Sequence, residues 1–297
     1  MPGLSSVAII INPISGGARA DTAPARAQLA IDAVERHGDR PEVFITERRG
    51  HARELAGAAV NRGMRLVIAW GGDGTINEVA SALAFGEVPL GIVPGGSGNG
   101  LATELHVSRR ADAAIAAALR ADARLIDVGE IEGKRFVNVA GIGFDAHVAA
   151  LFNRPDNRRR GARGYVMLAA RSLFSYSPRQ YVIDANGTRV TVRALLVVVA
   201  NGTEFGNRIL IARGARVDDG LLDVVVVEER SRAASLCRVP WLVTRSIHRV
   251  PVWSSRRAPA VTIECDEPMT FHVDGEVVNG GTSLTARVHP GALRVCV

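Results

Sequence analysis

The sequence predicts two halves of different class. Residues 1–128 read as an α/β domain, a doubly wound parallel sheet; residues 129–297 read as a mainly antiparallel β-sandwich domain. Three observations carry this. Short apolar runs alternate with amphipathic stretches up to about residue 128, the pattern of β-α-β units. Three of those runs end in glycine-rich turns, and open parallel sheets hold ligands at the carboxyl ends of their strands. After Gly129, β-branched runs and turn signals take over, and the alternation in Thr188–Arg193 marks a half-exposed antiparallel strand.

In chain order, Val7–Ile11 is a buried strand that ends in Asn12-Pro13-Ile14-Ser15-Gly16-Gly17. A helix is expected from about Ala23 to His37, with Pro24 in its first turn and Gly38 as its stop. Glu42–Thr46 is the next strand, and a helix ends near Arg62-Gly63. Val88–Val93 is a further strand, closed by Pro94-Gly95-Gly96-Ser97-Gly98-Asn99-Gly100. Arg110–Ala121 is an Ala-rich amphipathic helix, and Leu125–Val128 is a strand and the domain exit. Beyond it, strands are expected over Arg135–Val139, Tyr181–Asp184, Arg189–Ala200, Leu222–Val227, Val261–Cys265, Thr270–Val273, Ser283–Val288 and Leu293–Val297. Helices are expected over Arg163–Ser175 and Arg232–Arg249, the second kinked by Pro240.

The most informative stretch is 66–79. Leu66–Trp70 suits a strand buried on both faces, and Gly71-Gly72-Asp73-Gly74 makes a tight turn. Thr75 and Glu78 then stand at the spacing of a capping box. Glycines let backbone N–H groups approach an anion, and a helix N-terminus adds partial positive charge. Asp73, planted where phosphates would sit, makes sense if it holds Mg²⁺ or takes a proton from a hydroxyl. The bland alternative is that Asp73 merely ties down the loop.

Composition narrows the classes. A chain of 297 residues has room for two domains, and 47% hydrophobic content excludes disorder. No apolar run approaches the roughly 20 residues that span a bilayer, and the first residues lack the features of a signal peptide. Cys237, Cys265 and Cys296 are scattered without a CxxC, which fits a reducing cytosol and argues against a zinc site. Residues 1–128 carry a formal charge of −1 and residues 129–297 carry +7. A basic half suits an acidic partner, such as a phosphate, an anionic membrane or a nucleic acid, or else is an Arg-rich solvated surface. The one lysine, Lys134, lies in a hairpin-like Gly-Lys-Arg and fits neither a Walker A loop nor a protein-kinase strand lysine. Phosphate chemistry would therefore rest on backbone N–H groups, arginine and metal.

Asn12-Pro13-x-Ser15-Gly16, Gly71-Gly72-Asp73-Gly74-Thr75-x-Asn77-Glu78, Pro94-Gly95-Gly96-Ser97-Gly98-Asn99 and Asp274-Gly275-Glu276 occur in that order. This set resembles the lipid kinases with a diacylglycerol-kinase catalytic domain, including bacterial diacylglycerol kinases and sphingosine kinases. The resemblance implies a phosphofructokinase/NAD-kinase-like α/β domain and an active site between the domains. It also implies ATP- and Mg²⁺-dependent phosphorylation of a lipid hydroxyl. It assigns nucleotide contacts to Asn12, Pro13, Ser15, Thr46, Gly71, Gly72, Asp73, Gly74, Thr75, Glu78, Gly96, Ser97 and Gly98, with Arg159 and Arg163 near the phosphates. Glu276 would accept the proton, a role some relatives give to the acid at Asp73. Asp73 and Asp127 would serve the metal, Asp219 with the Leu221 carbonyl would hold a structural Mg²⁺, and Asp145 would lie near the lipid head group. Many bacterial relatives read Asn-Asp where this chain has Asn99-Gly100.

The basic run 154–179, with Tyr165, Phe174 and Tyr176 among its arginines, is expected on an anionic membrane surface if it is more than a solvated loop. The expected partner is thus a lipid at a membrane met from the cytoplasm, with no nucleic acid and room for a homodimer. His51 and His272 read as structural. Two other readings stay open: an NAD-kinase-like enzyme, since those also carry GGDG, and a non-catalytic nucleotide- or lipid-binding regulator.

Overall fold

Strand β1 (Ser6–Ile11) has five successive residues with no exposure, Val7 to Ile11, because parallel strands covered on both faces need no polar side. Each fully buried Ile contributes on the order of 1.5–3 kcal/mol. The structure, a computed structural model, describes residues 6–17, 20–154, 161–173, 175–204, 210–229 and 253–297. After β1 come α1 (Ala23–His37), β2 (Arg40–Ile45), α2 (His51–Asn61), β3 (Leu66–Gly71), α3 (Asp73–Leu83), β4 (Leu90–Pro94), α4 (Gly100–Glu104) and α5 (Ala111–Arg120). The chain divides into two units. One holds the residues through Ile126 together with Gly291–Val297, and the other is Asp127–Pro290.

In the first unit β1 pairs in parallel with β2 on one side and β3 on the other, and β3 pairs in parallel with β4. The order 2-1-3-4 puts the point where the winding reverses between β1 and β3. Helices α1 and α5 pack together over one apolar cluster of Ala30, Ala33, Val34, Ile115 and Ala118, while α2 and α3 pack against each other. The expected α1 is reproduced to the residue, with Pro24 in its first turn and Gly38 as its C-cap.

The second unit begins within β5 (Arg124–Ile131). Then follow β6 (Lys134–Phe136), β7 (Val139–Gly143), α6 (Phe144–Phe152), α7 (Gly161–Ser172), β8 (Arg179–Ala185), β9 (Thr188–Ala200), β10 (Leu222–Glu228), β11 (Trp253–Ala258), β12 (Ala260–Glu264), β13 (Thr270–Val273), β14 (Glu276–Asn279) and β15 (Ser283–Cys296). The order β14-β13-β7-β9-β8-β12-β15 is antiparallel throughout. Strand β10 adds to β9 and to β11. The second half of β9 feeds two cores: Val197 and Val199 face one cluster with Phe271 and Ile263, and Leu196, Val198 and Ala200 face another with Phe144 and Val148 of α6. The fold is an α/β domain with parallel strands followed by an antiparallel β-sandwich, as the sequence predicts.

Two departures from expectation stand out, at α6 and at β15. α6 is not among the helices that the sequence predicts; its first six residues are all buried except His147, so it shows no amphipathic period. The two strands expected at 283–288 and 293–297 are one, β15, whose far end pairs with β4 in parallel. The helix expected at 232–249 lies outside the described residues. No helix among the described residues is long and apolar enough to cross a membrane.

Candidate active site

The turns after β1 and β3 meet where the sheet reverses its winding. The Asn12 N–H donates to the Trp70 carbonyl at 2.9 Å, and Asn12 Nδ2 donates to Thr75 Oγ1 at 2.9 Å. Asn12 Oδ1 accepts the Ile14 N–H at 3.1 Å, which folds the first turn back on itself. The turn after β4 joins them through the Gly95 N–H, which donates to the Gly71 carbonyl at 2.7 Å. Bare backbone makes this possible. A Cβ on Gly96 would lie 2.6 Å from the Gly72 Cα, and one on Gly16, at φ 69°, would collide with the Gly95 carbonyl oxygen. All three glycine turns therefore form one backbone-walled corner beside the N-terminus of α3, an arrangement suited to anions.

Asp73 opens α3, and both of its oxygens are engaged. Oδ2 accepts the Asn99 N–H at 2.9 Å and Oδ1 accepts the Gly100 N–H at 2.6 Å. Burial pushes this carboxyl above its ordinary value, and the two N–H bonds oppose the shift. Asp73 thus clamps the third turn to the second. Asn99, at φ 58°, closes that turn on itself, taking the Gly96 N–H at 2.8 Å and giving Nδ2 to the Gly96 carbonyl at 2.6 Å. Ser97 is exposed and Gly98 buried within it. Gly74 meets no protein atom within 4 Å of a notional Cβ.

The capping box expected from Thr75 and Glu78 is not formed. The cap residue of α3 is Gly72, and Thr75 Oγ1 is held by Asn12 instead. The Glu78 carboxylate accepts the Gly50 N–H at 2.8 Å and the Ala52 N–H at 3.0 Å, so it caps the neighbouring α2. Thr46 follows β2 and donates its N–H to the Ile11 carbonyl at 2.9 Å, at the same end of the sheet.

Two arginines complete the corner that sequence reading missed. A concavity of about 430 Å³ is lined by Ser15, Gly16, Gly95, Gly96, Asn99 and, on its sides, Arg26 and Arg109. Arg26 comes from α1; one of its nitrogens donates to the Asn12 carbonyl and to Ser15 Oγ, each at 3.1 Å, and its guanidinium lies 5.8 Å from the Trp70 ring centroid. Burial lowers its pKa from the usual value. Its only sequence signal was a basic residue one turn into the helix after Ser15-Gly16-Gly17.

In the second unit, Asp127 and the 219 loop come together: Asp127 Oδ2 accepts the Gly220 N–H at 2.7 Å. Asp219 Oδ1 accepts the Leu221 N–H at 3.2 Å, and its Oδ2 is ion-paired with Arg257. Asp274-Gly275 is the two-residue loop of the β13–β14 hairpin, with positive φ at both positions, 46° and 88°. The Asp274 carboxylate accepts the N–H groups of Val137, Asn138 and Val139 at 2.9, 3.1 and 2.9 Å. Glu276 starts β14, part-buried. Asp145 is buried in the first turn of α6, with Oδ1 on the Ala146 N–H at 2.8 Å. Arg159 lies outside the described residues, and of Arg163 only its place in α7 is described.

Among the described residues no three His, Cys, Asp or Glu side chains cluster for an ion. At Asp219 the Arg257 guanidinium already supplies the positive charge that a structural Mg²⁺ would bring, so that loop does not fit a second ion. Mg²⁺ carried by nucleotide phosphates needs only one or two protein carboxylates, and the corner around Asp73 is compatible with that.

Residues 6–131 match the diacylglycerol kinase catalytic domain, and residues 138–297 match the YegS C-terminal NAD kinase beta sandwich-like domain. Over 270 residues the chain is 31% identical to a "Probable lipid kinase YegS-like" of Pseudomonas aeruginosa, covering 90% of this chain and 88% of that one. A diacylglycerol kinase of Mycobacterium tuberculosis is also 31% identical, over 285 residues, with 92% and 89% covered. A crystal structure of a diacylglycerol kinase from Bacillus anthracis str. Sterne superposes with TM-score 0.73 at 20% identity over 100% and 98% of the two chains. A second from the same organism reaches 0.81 at 22%, over 100% and 96%. The glycine corner at the sheet's reversal, the DGE hairpin and this two-domain match place the chain in the YegS-like, diacylglycerol-kinase-type family of lipid kinases.

Proposed function

We propose that this lipid kinase moves the terminal phosphoryl group of ATP, carried with Mg²⁺, onto the hydroxyl of a diacylglycerol or sphingoid-type lipid. The observation that carries the nucleotide half is the corner formed by Asn12, Gly71 to Thr75 and Gly95-Gly96 at the point where the winding reverses. Backbone N–H groups and the α3 N-terminus suit the phosphate chain, and Arg26 and Arg109 suit its outlying charge. Phosphoryl transfer asks mainly for positioning and for stabilisation of charge on the moving group. Bound Mg²⁺ would neutralise charge between the last two phosphates. In this reading Glu276 accepts the proton of the lipid hydroxyl, which is a poor nucleophile until that proton leaves. Asp73 acts by holding the third turn against the second, and by its charge.

The lipid is met at an anionic membrane surface, to which the +7 of residues 129–297 is suited. The test is incubation of the purified chain with γ-labelled ATP, Mg²⁺ and mixed vesicles containing diacylglycerol, sphingosine or ceramide, with NAD as a competing acceptor. Labelled phospholipid is the expected product. Labelled NADP, or nucleotide binding without any product, would overturn the reading.

A further inference from the structure

Asp145 and His272 form a buried pair. Their side chains are 4% and 3% exposed, and Asp145 Oδ2 lies 3.4 Å from His272 Nε2. Asp145 is on α6 and His272 on β13, so the pair links a helix to the strand that leads into the Asp274-Gly275-Glu276 turn. Gly141, which pairs with His272 across β7 and β13, makes the room: a Cβ there would collide with the Asp145 carboxylate and lie 2.5 Å from His272 Nε2. The far side of the ring meets the turn itself, since His272 Nδ1 accepts the Gly275 N–H at 3.3 Å. Asn153, at the end of α6, donates its Nδ2 to the Gly275 carbonyl at 2.9 Å. The same peptide neighbourhood is therefore gripped at its N–H by His272 and at its carbonyl by the helix that carries Asp145.

We infer that Asp145 and His272 are positioning residues, which orient Gly275 and so set the place of the adjoining Glu276 carboxylate. The chemistry of the ring supports the chain of contacts. An imidazole that accepts at Nδ1 and is neutral carries its proton on Nε2, the nitrogen that faces Asp145. A buried carboxylate 3.4 Å from Nε2 favours that tautomer by its charge, without a hydrogen bond between the two. The inference rests on the kinase reading only for Glu276 as proton acceptor; the grip on Gly275 stands without it.

The test uses the full chain and two readouts. His272→Asn keeps an acceptor where Nδ1 stands, whereas His272→Gln keeps a donor toward Asp145 and loses that acceptor. In H272Q, amide hydrogen exchange at Gly275 should accelerate, and kcat should fall about tenfold with KM for ATP unchanged, since small misplacement of a base costs rate rather than nucleotide affinity. H272N should keep most of the rate and of the Gly275 protection. If H272Q does not fold, Asp145→Asn serves, with faster Gly275 exchange expected. Equal losses in H272N and H272Q, in step with melting temperature, would reduce the pair to packing and overturn the inference. Unchanged Gly275 exchange in H272Q or D145N would also overturn it. An absence of lipid phosphorylation in the unaltered chain would instead overturn the kinase reading, and Gly275 exchange would still decide the grip.

Discussion

The Gly100 N–H donates to Asp73 Oδ1 at 2.6 Å, which ties the start of α4 to the start of α3. With the Asn99 N–H on Oδ2, the carboxylate presents an acceptor at each oxygen. Asp73→Asn replaces one acceptor with an NH₂ that faces an N–H. The expected outcome is a drop of orders of magnitude in lipid phosphorylation together with a loss of about 1–3 kcal/mol from an unsatisfied buried donor. Kinetics and a thermal melt on the same preparation check both; near-normal turnover would sink the role of Asp73.

Glu78 holds the N-terminus of α2 rather than that of its own helix. Glu78→Ala should cost about 0.5–2 kcal/mol, the range for loss of a cap, and Glu78→Gln should cost less because one acceptor oxygen survives. Urea unfolding midpoints of the two variants give the ranking.

Arg257 stands on Asp219 and lies 3.5 Å from Asp223, its cross-strand partner in the β10–β11 pair. Without nucleotide, EDTA should leave the melting temperature unchanged, because no ion is needed there. Arg257→Ala should lower that temperature and make it respond to added Mg²⁺, since two neighbouring carboxylates lose their cation. A melting temperature of the unaltered chain that falls with EDTA would contradict this.

Asp39 accepts Arg65 Nε at 2.9 Å and Nη2 at 2.5 Å, and it also pairs with His37 at 2.9 Å. These bonds, that with Arg65 foremost, hold the carboxyl below the usual carboxylate range. A depressed folded-state pKa means stability that is present above the unfolded value and lost as pH falls through the folded one. Part of the acid sensitivity below about pH 4 should therefore vanish in Asp39→Asn. Denaturant midpoints at several pH values between neutrality and that range read it out.

Vesicle binding should depend on salt if the arginines of residues 154–179 meet an anionic surface. Arg154 and Arg171 are exposed among the described residues of that run. Raising ionic strength from 0.05 to about 0.5 M shortens the Debye length severalfold and should weaken binding to anionic vesicles while sparing neutral ones. Binding that ignores salt would remove the membrane role of the cluster.

Much of the first unit was legible because its signals are local. α1 is bounded by Pro24 and Gly38, and β1 and β3 are apolar runs ended by glycine turns. The use made of polar residues was less legible. Thr75 and Glu78 have capping-box spacing, but their partners, Asn12 and the Gly50 and Ala52 N–H groups, are remote in sequence, and such pairing leaves no local trace. Arg26 escaped for the same reason. In the second unit α6 was hidden because its buried side chains surround it and erase the helical period. β11, Trp-Ser-Ser-Arg-Arg-Ala, has neither an apolar run nor strict alternation. Asp274-Gly275-Glu276 was legible as a motif, and the structure shows a hairpin whose Asp also fastens residues 137–139.

The last strand has a consequence for biosynthesis. Val295 and Cys296 pair with Leu90 and Gly91, so the first unit takes a strand from residues that follow the whole of the second. On a ribosome, that sheet stays one strand short until the whole second unit has emerged, leaving the β4 edge open to other chains during the wait. Emergence of residues 295 and 296, rather than of residue 126, is then the event that completes the first unit's sheet.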